Sequence, residues 1–123
     1  MRRELLLIEE MIEAAEQAQA LVSGVDVETL TSDRQRRDAL LWNFTVLGEA
    51  AAQLGVDAKE RFPEIPWVQP ARLRNRIVHG YWSIDVEILH TTATDLLPEF
   101  AQQLRKALAT LEAEPEQPDS ASG

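Results

Sequence analysis

The stretch RLRNRIVHGYW, residues 72–82, holds Arg72, Arg74, Asn75, Arg76, His79 and Tyr81, with no acidic residue among them. An imidazole titrates near neutrality and can take or give a proton. A guanidinium can hold two oxygens of a phosphate at once. Brought to bear on one phosphate, the two would supply proton transfer and charge stabilisation.

Spacing decides whether they can meet. On a helix His79, five positions after Arg74, points about 140° away from it. One regular helix therefore does not join them. Either Gly80 ends the helix and lets the backbone turn, or a second subunit supplies the missing neighbour across a two-fold axis. The bland reading is a solvated arginine face with an imidazole near a helix C-terminus.

The rest of the chain limits what this patch can do. The 123 residues carry a net charge of −9, which argues against broad nucleic-acid coating. Against that background a local basic cluster can hold a few phosphates only. No cysteine is present, so a disulfide framework and thiolate zinc sites are excluded. His79 and His90 are the only histidines, and the nearby acids follow no ligand spacing, so neither metal nor cofactor is expected. The N-terminus lacks the features of a signal peptide and no apolar run would span a bilayer, so a cytoplasmic protein is expected.

The elements that must position the cluster read as helices. Leu5, Ile8, Met11, Ile12, Ala15, Ala18 and Leu21 fall at helical spacing, and Gly24 suits a helix end. Residues 31–54 predict a second helix with Thr31 or Ser32 as N-cap and Leu40, Leu41, Phe44, Leu47 and Ala51 as its buried stripe. Its Gly48 and Ala50–Ala52 would admit a close neighbour, and Gly55 closes it. A connector with three prolines follows. Pro70 then opens the motif helix, which stops at Gly80. Ser83 or Asp85 caps a last helix that Pro98 must kink or restart. The expected domain is residues 1–111, all-α, with four main helices; the acidic tail 112–123 is expected to be disordered. Trp42 and Phe44 are expected to pack in the core or an interface, and Trp67 and Trp82, which flank the motif and could stack on RNA bases, to pack; Arg34, Arg36 and Arg37 are expected to be solvated and His90 to be structural.

RNRIVHGYWSID resembles the Arg-x4-His-x-Tyr signature of the HEPN superfamily, specifically the HepT-like (DUF86) ribonuclease toxins. NFTVLGEAAAQL, RFPEIPW and DLLPEF follow the family's order and spacing, so the resemblance covers roughly residues 3–108. It implies an up-and-down bundle of four to five helices, dimeric, with the motif helices of two subunits flanking a cleft. By motif match Arg74 and His79 are the catalytic pair and Asn75 the accompanying polar residue, with Arg72 and Arg76 beside them for phosphate. Tyr81 is the residue that a cognate nucleotidyltransferase antitoxin of the MNT type adenylylates. Pro70–Ala71 departs from the family's continuous apolar-glycine stretch and is expected to shorten the motif helix.

The implied activity is metal-independent endoribonuclease action by the toxin of a type VII toxin–antitoxin pair, with transfer or messenger RNA as candidate substrates. RNA supplies its own nucleophile, the 2′-hydroxyl. The imidazole can move its proton, an effect worth about 10²–10⁴-fold, and the guanidinium can stabilise the pentacovalent state. The competing reading is a non-catalytic helical module that docks a nucleotidyltransferase.

Overall fold

The computed structural model describes residues 2–115; the last part of the expected tail, 116–123, lies outside the described residues. All regular structure among the described residues is helical: α1 (Arg2–Val22), α2 (Val27–Ser32), α3 (Arg34–Gln53), α4 (Val56–Arg61), α5 (Val68–His79), a 3₁₀ turn (Tyr81–Ser83), α6 (Val86–Thr91), a π turn (Thr92–Leu96) and α7 (Leu97–Glu112). The chain is an all-α bundle whose main members are α1, α3, α5 and the composite α6–α7.

Neighbours along the chain run in opposite directions. Arg3 near the start of α1 donates to the carbonyl and side chain of Gln53 at the end of α3, while Arg36 at the start of α3 reaches the Leu21 carbonyl at the end of α1. α5 lies along α3 in the reverse sense, with its early residues beside Gly48 and the turn after it beside Asp38. α1 packs against both α3 and α7.

The core is the stripe the sequence shows. Ile8, Met11, Leu30, Leu40, Phe44, Leu47, Leu89 and Leu104 are fully buried, and the buried hydrophobic residues form one cluster. No polar or charged residue is buried among the described residues. Hydrophobic burial is the main force that closes the bundle.

Several helix ends differ from expectation. Thr31 and Ser32 belong to the end of α2, where their hydroxyls donate back to Val27 and Thr29 carbonyls. The N-cap of α3 is Asp33, whose carboxylate accepts from the Arg36 N–H at 3.1 Å. Gly24 takes φ 71°, which L side chains avoid, and turns the chain from α1 into α2. Gly55 does not close α3; it is the N-cap of α4, a short helix inside the segment expected to be a connector. Pro70 is the third residue of α5, not the first. An N–H there has no intrahelical acceptor, so proline costs no bond and α5 keeps 12 residues; the expected shortening does not occur.

Asp85, of the two candidates, caps α6 by accepting from the Glu87 N–H. Pro98 acts as expected, and the form of the restart is a π turn. Its ring would clash with the carbonyl four residues back, so the preceding turn widens and the Leu97 N–H bonds to the Thr92 carbonyl five residues away.

Candidate active site

Arg74 is set by the crossing of α3 and α5. A Cβ on Gly48 would stand 2.3 Å from the Arg74 Cβ and 2.5 Å from the Pro70 carbonyl, so only glycine allows this approach. The crossing fixes the root of the Arg74 side chain at the α3–α5 seam. Its guanidinium donates to Glu49 Oε2 at 2.7 Å and to Asn75 Oδ1 at 2.6 Å, and the side chain stays 32% exposed. Asn75 thus orients Arg74 rather than standing apart from it. Glu49, unnoticed in the sequence, is the acid next to the glycine that makes the crossing.

His79 is the last residue of α5 and is exposed. The helix is regular up to it, so its five-residue offset from Arg74 leaves the two side chains about 140° apart. Gly80 turns the chain only after His79 and does not bring them together. At helical spacing His79 shares its side of α5 with Arg72, Asn75 and Arg76. Arg72 and Arg76 stand on the wall of a groove of about 680 Å³ between α5 and α7, floored by Phe44, Leu47 and Phe100. These two arginines make no ion pair among the described residues.

Tyr81 begins the 3₁₀ turn after Gly80 and is 40% exposed. Its hydroxyl donates to Asp38 Oδ1 at 2.6 Å, and the other carboxylate oxygen lies 3.5 Å from Arg34 Nε. The hydrogen bond to Asp38 is the main cause that raises the phenol's pKa above its ordinary 10.0. The same bond, helped by Arg34 and Arg37, holds the Asp38 carboxyl below its ordinary range. Asp38 was missed in the sequence because the contact spans 43 residues; the Arg34–Asp38 spacing of four was its only local sign.

The aromatics divide. Phe44 is core, and Trp67 is buried with its indole N–H donating to the Phe62 carbonyl at 3.0 Å. Trp82 corrects the expectation of packing. It is 92% exposed and meets the Tyr81 ring edge-on at 6.0 Å. Trp42, 67% exposed, is not core either; with Val78, Ile77, Leu41 and Tyr81 it lines a shallow groove of about 340 Å³. Trp42 shares its side of α3 with Asp38 and Thr45, one turn before and after it, and so lies off the buried stripe of Leu40, Leu41, Phe44 and Leu47. The basic cluster at the start of α3 is spent locally, Arg36 on Asp33 and the Leu21 carbonyl, Arg37 on the Thr31 carbonyl. His90 ties α6 to the loop after α1, its Nε2 2.6 Å from the Val25 carbonyl.

The family model for ribonuclease HepT-like proteins matches residues 11–107. The chain belongs to the HepT-like ribonuclease family. Its HepT-like relatives include a protein of Thermococcus cleftensis named as a ribonuclease HepT, 28% identical over 80% of this chain and 90% of the relative. A protein of Methanocaldococcus jannaschii named as an RNase is 29% identical over 68% of this chain and 69% of the relative. One of Caldanaerobacter subterraneus, likewise named as an RNase, is 25% identical over 71% and 78%. No solved structure matches the chain significantly. No helix among the described residues is long and apolar enough to cross a membrane.

Proposed function

We propose that this HepT-like chain is a metal-independent endoribonuclease that works as a homodimer, the toxin of a toxin–antitoxin pair neutralised by a nucleotidyltransferase that adenylylates Tyr81. One observation carries the dimer. Val78, 58% exposed, falls in helical order between Arg74 and His79, and the exposed Trp42 lines the same shallow groove. An uncovered aromatic patch between two diverging catalytic groups fits a second copy pressed onto it. Across a two-fold axis Arg74 of each protomer then faces His79 of the other.

In that cleft the RNA 2′-hydroxyl attacks the adjacent phosphorus while one imidazole takes its proton. The arginines stabilise the charge that builds on the phosphoryl oxygens. The imidazolium so formed gives that proton to the departing 5′-oxygen, leaving a cyclic phosphate and a 5′-hydroxyl. Imidazole and guanidinium together supply the proton transfers and the charge, so cleavage is expected to persist in EDTA.

The Arg74–Glu49 ion pair favours the other reading, a docking module without catalysis, because it occupies the guanidinium. Mixing decides between them. Arg74→Ala and His79→Ala are each expected to be inactive alone, while their mixture regains cleavage because a heterodimer rebuilds one composite cleft. Unchanged cleavage by both single variants would sink the catalytic assignment. A mixture that stays inactive would sink the composite cleft.

A further inference from the structure

Tyr81, Asp38 and Arg34 form a chain of contacts that RNA cleavage does not need. A hydroxyl within hydrogen-bond reach of a base, the base itself oriented by a third group, is the arrangement by which proteins make an alcohol nucleophilic. The phenol donates to Asp38 Oδ1 at 2.6 Å, and Arg34 Nε stands 3.5 Å from Oδ2. Both Tyr81 and the Asp38 side chain are about two-fifths exposed, so an electrophile can approach from solvent. Asp38 and Arg34 lie one and two turns along α3 from Trp42, at the edge of the aromatic patch.

We propose that Asp38 is the proton acceptor for group transfer onto Tyr81, so that the target protein brings its own base to its modification. The proposal rests on the reading of Tyr81 as the modified residue. In the step, the phenolic oxygen forms a bond to the α-phosphorus of a nucleoside triphosphate. The bond from that phosphorus to the bridging oxygen breaks, and diphosphate leaves with the electron pair. The phenolic proton passes to Asp38 Oδ1 and from there to solvent. Arg34 orients the carboxylate, and Arg34 and Arg37 keep it ionised; these and Tyr81 are the charged or titratable groups that act on it. The carboxylate also discourages a free phenolate, so attack and proton transfer proceed together.

The test uses the full chain and an arylsulfonyl fluoride, which transfers its sulfonyl group to a phenol with loss of fluoride. Tyr81 is the single tyrosine of the sequence, so intact mass and peptide mapping read one site. Asp38→Asn keeps a carbonyl oxygen to accept the O–H but cannot take the proton. Its labelling at pH 7 is expected to fall at least about a hundredfold, the low side of general-base effects, at unchanged Tm. The pH profiles should differ as well. The parent should label at a nearly constant rate from pH 6 to 8, whereas the variant should gain about tenfold per pH unit as phenolate accumulates. A contact that only fastens the turn would leave rate and profile alike in both proteins, and that result overturns the proposal.

A second arm adds a nucleotidyltransferase of the proposed kind with α-phosphate-labelled ATP. Label on the parent at Tyr81 and little on Asp38→Asn supports both readings. Equal label on both overturns the role of Asp38. No label on the parent overturns the modification reading beneath it.

Discussion

Arg74 and His79 show what residue types alone convey. The Arg-x4-His spacing names two groups fit for phosphate chemistry and also says that one helix keeps them apart. α5 does keep them apart, with Arg74 at the α3 seam and His79 at the open end. His79→Ala should cost about two to four decades of RNA cleavage by the general acid–base estimate. Because the side chain is exposed, Tm should stay within experimental scatter, which thermal melting checks. Gly48→Val should act in the opposite order. Its side chain would drive into the Arg74 Cβ and the Pro70 carbonyl, costing about 1–3 kcal/mol in denaturant titration and displacing the guanidinium as well. Glu49 and Asp38, the acids that hold Arg74 and Tyr81, were not legible. Their partners lie 25 and 43 residues away, and an acid on a helix face carries no sign of a distant partner.

Helix existence was legible because apolar periodicity survives every local accident; helix ends were not, because several capping residues compete within a turn. At α3 a carboxylate won over two hydroxyls. Asp33 accepts the Arg36 N–H, and that bond is the main cause holding its pKa below the ordinary 3.8; Asp26, bonded to the Thr29 N–H, is lowered in the same way. A carboxyl lowered on folding contributes stability that is fully present above the unfolded value and fades as pH falls through the folded one. Tm should therefore drop below about pH 4, and Asp33→Asn, which keeps the cap without its charge, should drop less over that interval. Melting curves from pH 6 to 3 compare the two. Equal slopes would show that Asp33 is not among the groups responsible. α4 escaped notice for another reason. Its six residues, Val56–Arg61, are too few to display a period, and the prolines that follow masked a helix that ends before them.

For the whole molecule, the fold is a closed core and the function is an open surface. Trp42, Val78 and Trp82 are among the exposed large apolar side chains, and Trp42 and Val78 line one shallow groove. Trp42→Asp with Val78→Asp should leave a folded monomer with little cleavage, measured by light scattering and RNA digestion. A doubly substituted chain that remains dimeric would place the interface elsewhere. The three tryptophans give the protein built-in optical reporters. Trp67 is enclosed and should emit toward the blue, whereas in a separated protomer Trp42 and Trp82 face water and should dominate a red-shifted, iodide-quenchable emission. Dilution below the dimer constant should move the Trp42 component without touching Trp67. RNA binding that stacks a base on Trp82 should quench it selectively. Replacing each tryptophan by phenylalanine in turn would separate assembly, substrate and fold as three independent fluorescence signals, with no added dye.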